Sequence, residues 1–323
     1  WRVSSHRSTY LPWHASKTSN MALQLPYNDY GSTMRQRFGG RVQKLAIDAG
    51  LGCPNRDGAT AYGGCTFCLG EAFSPSYCRQ AKSITEQIDR ALEFHSLRGR
   101  KADVYLAYFQ SGSNTYAPME QLKSIYFEAL LHPAISGIII GTRPDCISSE
   151  ILQLFSDIAQ RYYIAVEYGI ESVYDTTLSH VNRGHDFATA KAAIEATKAL
   201  NIDVGAHFIL GLPNESRKSI IEGIRHINAL GIDFIKFHQL QIYHSTPMAR
   251  EWKEHPERFL FADESDTEAY ISLLVEVIRR LDPAIAIDRI VTEAPRHLIA
   301  HSSLGGIRPD ELRNRLIASM LEE

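Results

Sequence analysis

The sequence predicts an α/β fold built on a parallel sheet, and three observations carry that prediction. From Gln43 to Val291, short apolar runs alternate with segments of helical period, the pattern of repeated βα units. Several runs, Gly137–Gly141 among them, are apolar throughout, as in strands covered on both faces. No Pro-, Gly- or Ser-rich linker divides the chain, so the reading is one domain with a C-terminal extension. About six such units close into a barrel, stay open as a partial barrel or form a doubly wound sheet. Periodicity does not choose among the three.

The elements follow in order. Gln43 to Asp48 reads as the first strand, with Leu45 and Ile47 beginning the apolar series. A long loop bearing Gly, Pro and Cys comes next. Ser83 with Glu86 three residues on is a capping box that starts a helix to Arg98, with Ile84, Ile88, Ala91 and Leu92 on one face. Strands are predicted at Val104–Phe109, Gly137–Gly141, Tyr162–Tyr168, Ile202–Leu210 and Asp233–Leu240. The helices between them are Met119–Leu131, Ser149–Gln160, Phe187–Leu200 and Ser216–Leu230. In the last of these Ile220, Ile224 and Ile227 share a face. A long helix over Thr267–Leu281 and a further strand over Ile285–Val291 complete the pattern.

Composition narrows the function classes. The 323 residues are 44% hydrophobic and 22% charged, with a formal net charge of −3. That balance gives no whole-chain electrostatic case for nucleic acid or an anionic membrane, although it leaves a local basic patch open. Runs such as Ile135–Gly141 are far too short to span a bilayer. Residues 1–20 are polar and carry Arg2, His6, Arg7 and Lys17, unlike a secretory signal, and are read as a leader outside the fold. The expected division is then residues 21–295 for the barrel core and 296–323 for the extension. Five cysteines, an odd number, argue for reduced thiols and a cytoplasmic location.

Four of those cysteines fall within 26 residues. The segment GCPNRDGATAYGGCTFC places Cys53, Cys65 and Cys68 in a Cys-x11-Cys-x2-Cys arrangement directly after the first strand. Thiolates are soft ligands that suit zinc or iron–sulfur clusters. Three of them hold three irons of a four-iron cluster and leave the fourth open to a small molecule. Gly52, Gly58, Gly63 and Gly64 let the backbone wrap closely around a metal and offer amide donors. The competing reading is a structural zinc site, with Cys78 or a histidine as fourth ligand. It would make the chain a zinc-stabilised α/β protein that binds nucleic acid or a protein partner.

The motif Cys-…-Cys-x-aromatic-Cys, with Phe67 in the aromatic slot, resembles the cluster loop of the radical S-adenosylmethionine (SAM) superfamily. The longer phrase CPNRDG…GGCTFC resembles the bacterial YhcC-type radical SAM proteins, which are similar to the radical domain of the Elongator catalytic subunit. The likeness continues through AYFQSGSNTYAP (107–118), GTRPDC (141–146), EYGIES (167–172), VNRGHD (181–186) and ILGLP (209–213), each at a strand end or in the loop after it. Two departures stand out: the long first cysteine spacing, and SGS where the family usually has Gly-Gly-Glu.

The resemblance implies a partial (β/α)6 barrel with a [4Fe-4S] cluster on Cys53, Cys65 and Cys68 and SAM on the open iron. It further implies reductive cleavage to a 5′-deoxyadenosyl radical that abstracts a substrate hydrogen. By the same likeness Ser111, Gly112 and Ser113 face the methionyl end. Glu171 accepts from the ribose hydroxyls, Arg183 pairs with the methionyl carboxylate, and His207 points toward the nucleoside. Gly211 and Pro213 form a turn near the adenine. Lys236, His238, Gln239, Gln241 and His244 are read either as lining of the barrel mouth or, for most of them, as a solvated strand end, and Arg296, His297, His301 and Arg308 as a weak basic tail. Cys78 and Cys146 are expected outside the cluster. The implied partners are a flavodoxin- or ferredoxin-like one-electron reductant and, through the Elongator likeness, an RNA base carried by tRNA.

Overall fold

The computed structural model describes residues 25–70, 74–79, 81–261, 266–292, 294–302, 304 and 306–322. The leader expected over residues 1–20 lies outside them. Seven parallel strands form one sheet in the order β1 (Val42–Ile47), β2 (Val104–Phe109), β3 (Ile135–Thr142), β4 (Tyr163–Glu171), β5 (Asp203–Leu210), β6 (Phe234–Gln239) and β8 (Ala286–Arg289). The remaining pair, β7 (Gln241–Tyr243) and β9 (Ile299–Ser302), is a small antiparallel ribbon. The helices are α1 (Tyr30–Phe38), α2 (Pro54–Asp57), α3 (Ile84–Leu97), α4 (Met119–Leu130), α5 (Ser149–Ala159), α6 (Asp175–His180), α7 (Phe187–Lys198), α8 (Arg217–Asn228), α9 (Pro247–Glu254), α10 (Thr267–Arg280) and α11 (Pro309–Glu322).

Strand parity makes two cores. Outward residues such as Leu45, Ala107, Ile138, Ile164, Val204 and Ile235 meet the helices in the large outer core. Inward residues Leu106, Tyr108, Ile139, Ala165, Phe234 and Ala286 form a second cluster with Tyr30 and Met34 of α1. The sheet curls strongly enough for Lys44 on β1 to hydrogen-bond Glu167 on β4 and Asp288 on β8. It is therefore a half-barrel, the expected βα series with β8 as the further strand expected over Ile285–Val291, and its edges β1 and β8 carry no ladder between them.

Helix α1, absent from the periodicity reading, fills that seam. Its N-cap Asp29 accepts from Ser32 N, and Gly39 ends it in the left-handed region. Asn28 O accepts from Ile287 N at 2.8 Å, so the chain just before α1 holds the β8 edge. The predicted cap on α3 is present in altered form. Ser83 Oγ accepts from Glu86 N, but the Glu86 carboxylate turns to Lys82 N instead of the cap residue's own amide. The extension carries α11, which packs on α10 and sends Arg313 to Asp29 and Tyr27.

Candidate active site

The C-terminal ends of the strands surround one cavity of about 430 Å³. Parallel α/β sheets place their reactive groups at this end, because the loops that follow the strands converge there. The loop after β1 forms one wall. Cys53 caps the short helix α2, whose φ of +95° at Gly58 closes a tight turn, and the chain returns to Cys65 and Cys68. Thr66 N donates to Val181 O and Thr66 O accepts from Met248 N, so the loop is pinned on both sides. All three thiols line the cavity, as does Phe67. Donors gather on the sulfurs: Arg56 Nη2 lies 3.2 Å from Cys68 Sγ, Asn55 Nδ2 3.4 Å and Arg183 Nη1 3.5 Å from Cys65 Sγ. Burial and the neighbouring Cys65 push the Cys68 thiol up, while Arg56 pulls it down.

The facing wall comes from β2, β4 and β5. Ser111 and Gly112 line the cavity after β2. Gly112 has φ +76°, and a Cβ there would sit 2.4 Å from Leu51 O, so the loop after β2 lies directly on the cysteine loop. Gly112→Ala is expected to lower stability by about 1–3 kcal/mol through strain and displaced backbone, readable by thermal melting. Ser113 stands behind this wall: fully buried, it pairs with Thr142 Oγ1 at 3.0 Å and its amide donates to Gly52 O.

At the end of β4 the pairing with β5 skips Ile170, and Glu171 takes φ +79°. Glu171 keeps the inward parity of Ala165 and Glu167, and its carboxylate lies on the cavity beside Arg183 at 3.6 Å. Burial raises the Glu171 pKa against the pull of Arg183 and Arg143. Gly169 has no room for a side chain, since a Cβ would meet Glu171 Oε1 at 2.7 Å and Arg183 Nη2 at 2.9 Å.

Residues 50–227, more than half of the chain, match the Radical SAM superfamily. The chain belongs to that superfamily. Residues 232–322 match the Radical SAM C-terminal domain, and their β6 and β8 extend the same sheet as β1 to β5. This radical SAM chain is 34% identical over 277 residues to Protein YhcC of Escherichia coli K12, covering 85% of itself and 86% of that protein. It is 33% identical over 278 residues to YtqA of Bacillus subtilis strain 168, covering 84% and 83%. The solved structure of archaeal Methanocaldococcus infernus Elp3, with an N-terminal deletion, shares the fold: TM-score 0.63 at 17% identity, over 87% of this chain but only 63% of that one.

As a radical SAM enzyme the protein works with a [4Fe-4S] cluster and SAM. The residues present fit both. Cys53, Cys65 and Cys68 open on one cavity, and Asn55, Arg56 and Arg183 offer donors to two of the three sulfurs. Around the cavity, Ser111 Oγ, Arg143 Nη1 and Arg183 Nε are buried without a partner among the described residues. An unsatisfied buried polar atom costs about 1–3 kcal/mol, and a ligand rich in carboxylate and hydroxyl oxygens removes that cost.

The cavity floor holds a charge network that the motif reading did not single out. Glu167, with no exposed surface, accepts from Lys44 Nζ at 3.1 Å, from His207 Nε2 at 2.8 Å and from Lys236 Nζ. Two ammonium groups and His207 hold its carboxyl well below the usual range despite burial. Burial pushes Lys236 down to about 8, which leaves it charged at neutral pH. His207 is held neutral by burial and by Lys236. Because Glu167 only accepts, His207 carries its proton on Nε2.

This overturns the solvated strand end expected over residues 236–244. Lys236, Gln239 and Gln241 are buried, both glutamines donating to Thr292 O, and His238 bonds Thr292 Oγ1. Only His244 is exposed, away from the cavity lining. The signal was available: Lys44, Glu167, Lys236 and Asp288 are charged residues inside predicted strands, where an apolar residue is the rule. His301 likewise is no part of a basic tail, being buried and stacked on Trp252 at 4.3 Å. Arg296, His297 and Arg308 are exposed. Gly211, at φ +94°, turns the chain after β5, and neither it nor Pro213 lines the cavity. Cys78 and Cys146 are also absent from the lining, and burial pushes each thiol up to about 11.

Proposed function

We propose that Cys53, Cys65 and Cys68 hold the [4Fe-4S] cluster and that SAM lies between them and the ends of β2, β4 and β5. When bound, the two supply one-electron cleavage of the sulfonium and a 5′-deoxyadenosyl radical for hydrogen abstraction. The observation that carries this reading is the single cavity on which the three thiols, Ser111, Gly112, Glu171, Arg183 and His207 all open. Arg183 presents a planar fork suited to the methionyl carboxylate, and its Nε is free of partners among the described residues. Glu171 accepts from the ribose hydroxyls, and Phe67 and His207 flank the nucleoside. Ser111 meets the methionyl end over Gly112, while Ser113 supports that loop from behind.

The substrate we propose is an RNA base in tRNA, on the likeness of the motifs to the Elongator radical domain. The reductant is flavodoxin- or ferredoxin-like. The setting is cytoplasmic, in keeping with five free thiols; among the described residues no helix is long and apolar enough to cross a membrane.

Glu171→Gln separates cofactor binding from cluster binding, because Glu171 touches no cysteine sulfur. It is expected to keep its iron and to lose about 1.5–3 kcal/mol of SAM affinity, roughly ten- to a hundredfold, measured by equilibrium dialysis. Unchanged affinity would remove Glu171 from the site. Comparison of tRNA nucleosides between a deletion strain and its parent tests the substrate, and identical profiles would reject tRNA.

A further inference from the structure

Beside β8 a second cavity adjoins the main one. On β8 the register slips by one: Ile235 pairs with Ile287, but Lys236 pairs with Arg289, so Asp288 is the extra residue of a bulge. A bulge re-aims side chains next to it. Here two consecutive residues serve the barrel interior. Asp288 accepts from Lys44 at 2.6 Å and stands 3.4 Å from Lys236. Arg289 lines the main cavity and also a second one, of about 460 Å³, with Tyr27, Asp29, Val291 and Arg313. Gln110 and Arg289 border both spaces, which meet there.

Among the described residues the charges around this junction do not balance. Lys44, Lys236 and Arg289 face Glu167 and Asp288, and both carboxylates are engaged by the two lysines. In the second cavity Asp29 is taken by Arg313 at 2.8 Å. Among the described residues Arg289 has neither an ion-pair nor a hydrogen-bond partner. Its field nevertheless reaches inward, depressing the basicity of His207, His238 and Lys236. Both histidines stay neutral and add no competing charge. A cation left without a counter-ion in a partly desolvated site is unfavourable, and a guanidinium matches a phosphate or carboxylate with two parallel hydrogen bonds.

We propose that Arg289 seats an oxyanion of the substrate, which arrives through the second cavity, between β8 and α11, and extends from there toward SAM. This deepens the reading above and rests on it for the position of SAM. If the substrate is tRNA, the oxyanion is a backbone phosphate; if it is a small metabolite, a phosphate or carboxylate takes the same place.

The test uses anaerobically reconstituted, SAM-loaded protein as wild type, Arg289→Gln and Arg289→Lys. Each is titrated separately with inorganic phosphate, acetate and bulk tRNA. The Gln variant is expected to bind the preferred small anion about tenfold or more weakly, the Lys variant within about threefold of wild type, and all three to bind SAM within about twofold. A parallel loss of tRNA affinity in Arg289→Gln identifies the oxyanion as a phosphodiester. Anion binding through Arg289 with no affinity for tRNA keeps the seat and rejects the RNA substrate. Anion affinity unchanged in Arg289→Gln, or undetectable in wild type, overturns the proposal. So does loss of SAM affinity in that variant, which would make Arg289 a cofactor residue.

Discussion

Alanine at any one of Cys53, Cys65 or Cys68 is expected to abolish both the reconstituted cluster and reductive cleavage of SAM. A four-iron cluster held by three thiolates has no spare ligand, so removing one leaves a second iron uncovered. The protein itself should survive the change. Cys65 is small, and its loop is anchored by backbone bonds from Thr66 to Val181 and from Met248 to Thr66 rather than by its sulfur. Iron analysis after anaerobic reconstitution should fall from about four per chain to near zero, with the brown colour lost. A Cys78→Ala, Cys146→Ala double variant is the matched control. Both thiols lie outside the cavity lining, and both are held protonated by burial, so iron and colour should persist. Full SAM cleavage by Cys65→Ala would remove the cluster from this loop altogether.

The second large effect is expected at Glu167. Its carboxylate is the shared acceptor for Lys44, Lys236 and His207 inside the half-barrel. Glu167→Ala leaves two buried ammonium groups with Asp288 alone, and breaking a buried pair from one side costs about 3–5 kcal/mol. For a domain of this size that corresponds to a fall in Tm of roughly 5–15 °C. Removing a matching cation should return part of the loss, so Glu167→Ala with Lys236→Met is expected to melt above Glu167→Ala alone. The pH dependence has a definite sign. The folded carboxyl is held below its unfolded value of about 4.3, so its stabilisation is complete above that pH and fades as pH falls through the lower, folded value. The Tm gap between wild type and Glu167→Ala should be flat from neutral pH down to about 5 and narrow below about 4. A gap that widens on acidification would show that Glu167 is not ionised in the fold.

The sequence by itself determined the order of βα units, because each strand and helix announces itself locally through its period and its caps. Ser83 starts α3 and Asp186 starts α7 by hydrogen bonds within one turn, and nothing distant is needed to place them. The three cysteines and their glycines were legible for the same reason: their meaning lies in spacing along a single loop. The short helices α1, α2, α6 and α9 were not, since their few turns carry too little periodicity to stand out, and neither was the longer α11, which buries only Leu312 and Leu316.

Only the tertiary structure decided how strongly the sheet curls, and with it everything that depends on opposite walls meeting. Lys44, Glu167, Lys236 and Asp288 each read as a charge inside a predicted strand. That they neutralise one another follows from the curl, which brings β1, β4, β6 and β8 within a side chain's reach. The bulges at Ile170 and Asp288 were equally hidden, because a bulge is a relation between two strands and has no period of its own. The slip at Asp288 aims Arg289 into the cavity, where strict alternation from Ala286 would have placed only Asp288 inside. Local interactions thus set which segments become strands and helices, while the register and closure of the sheet set which side chains share the site.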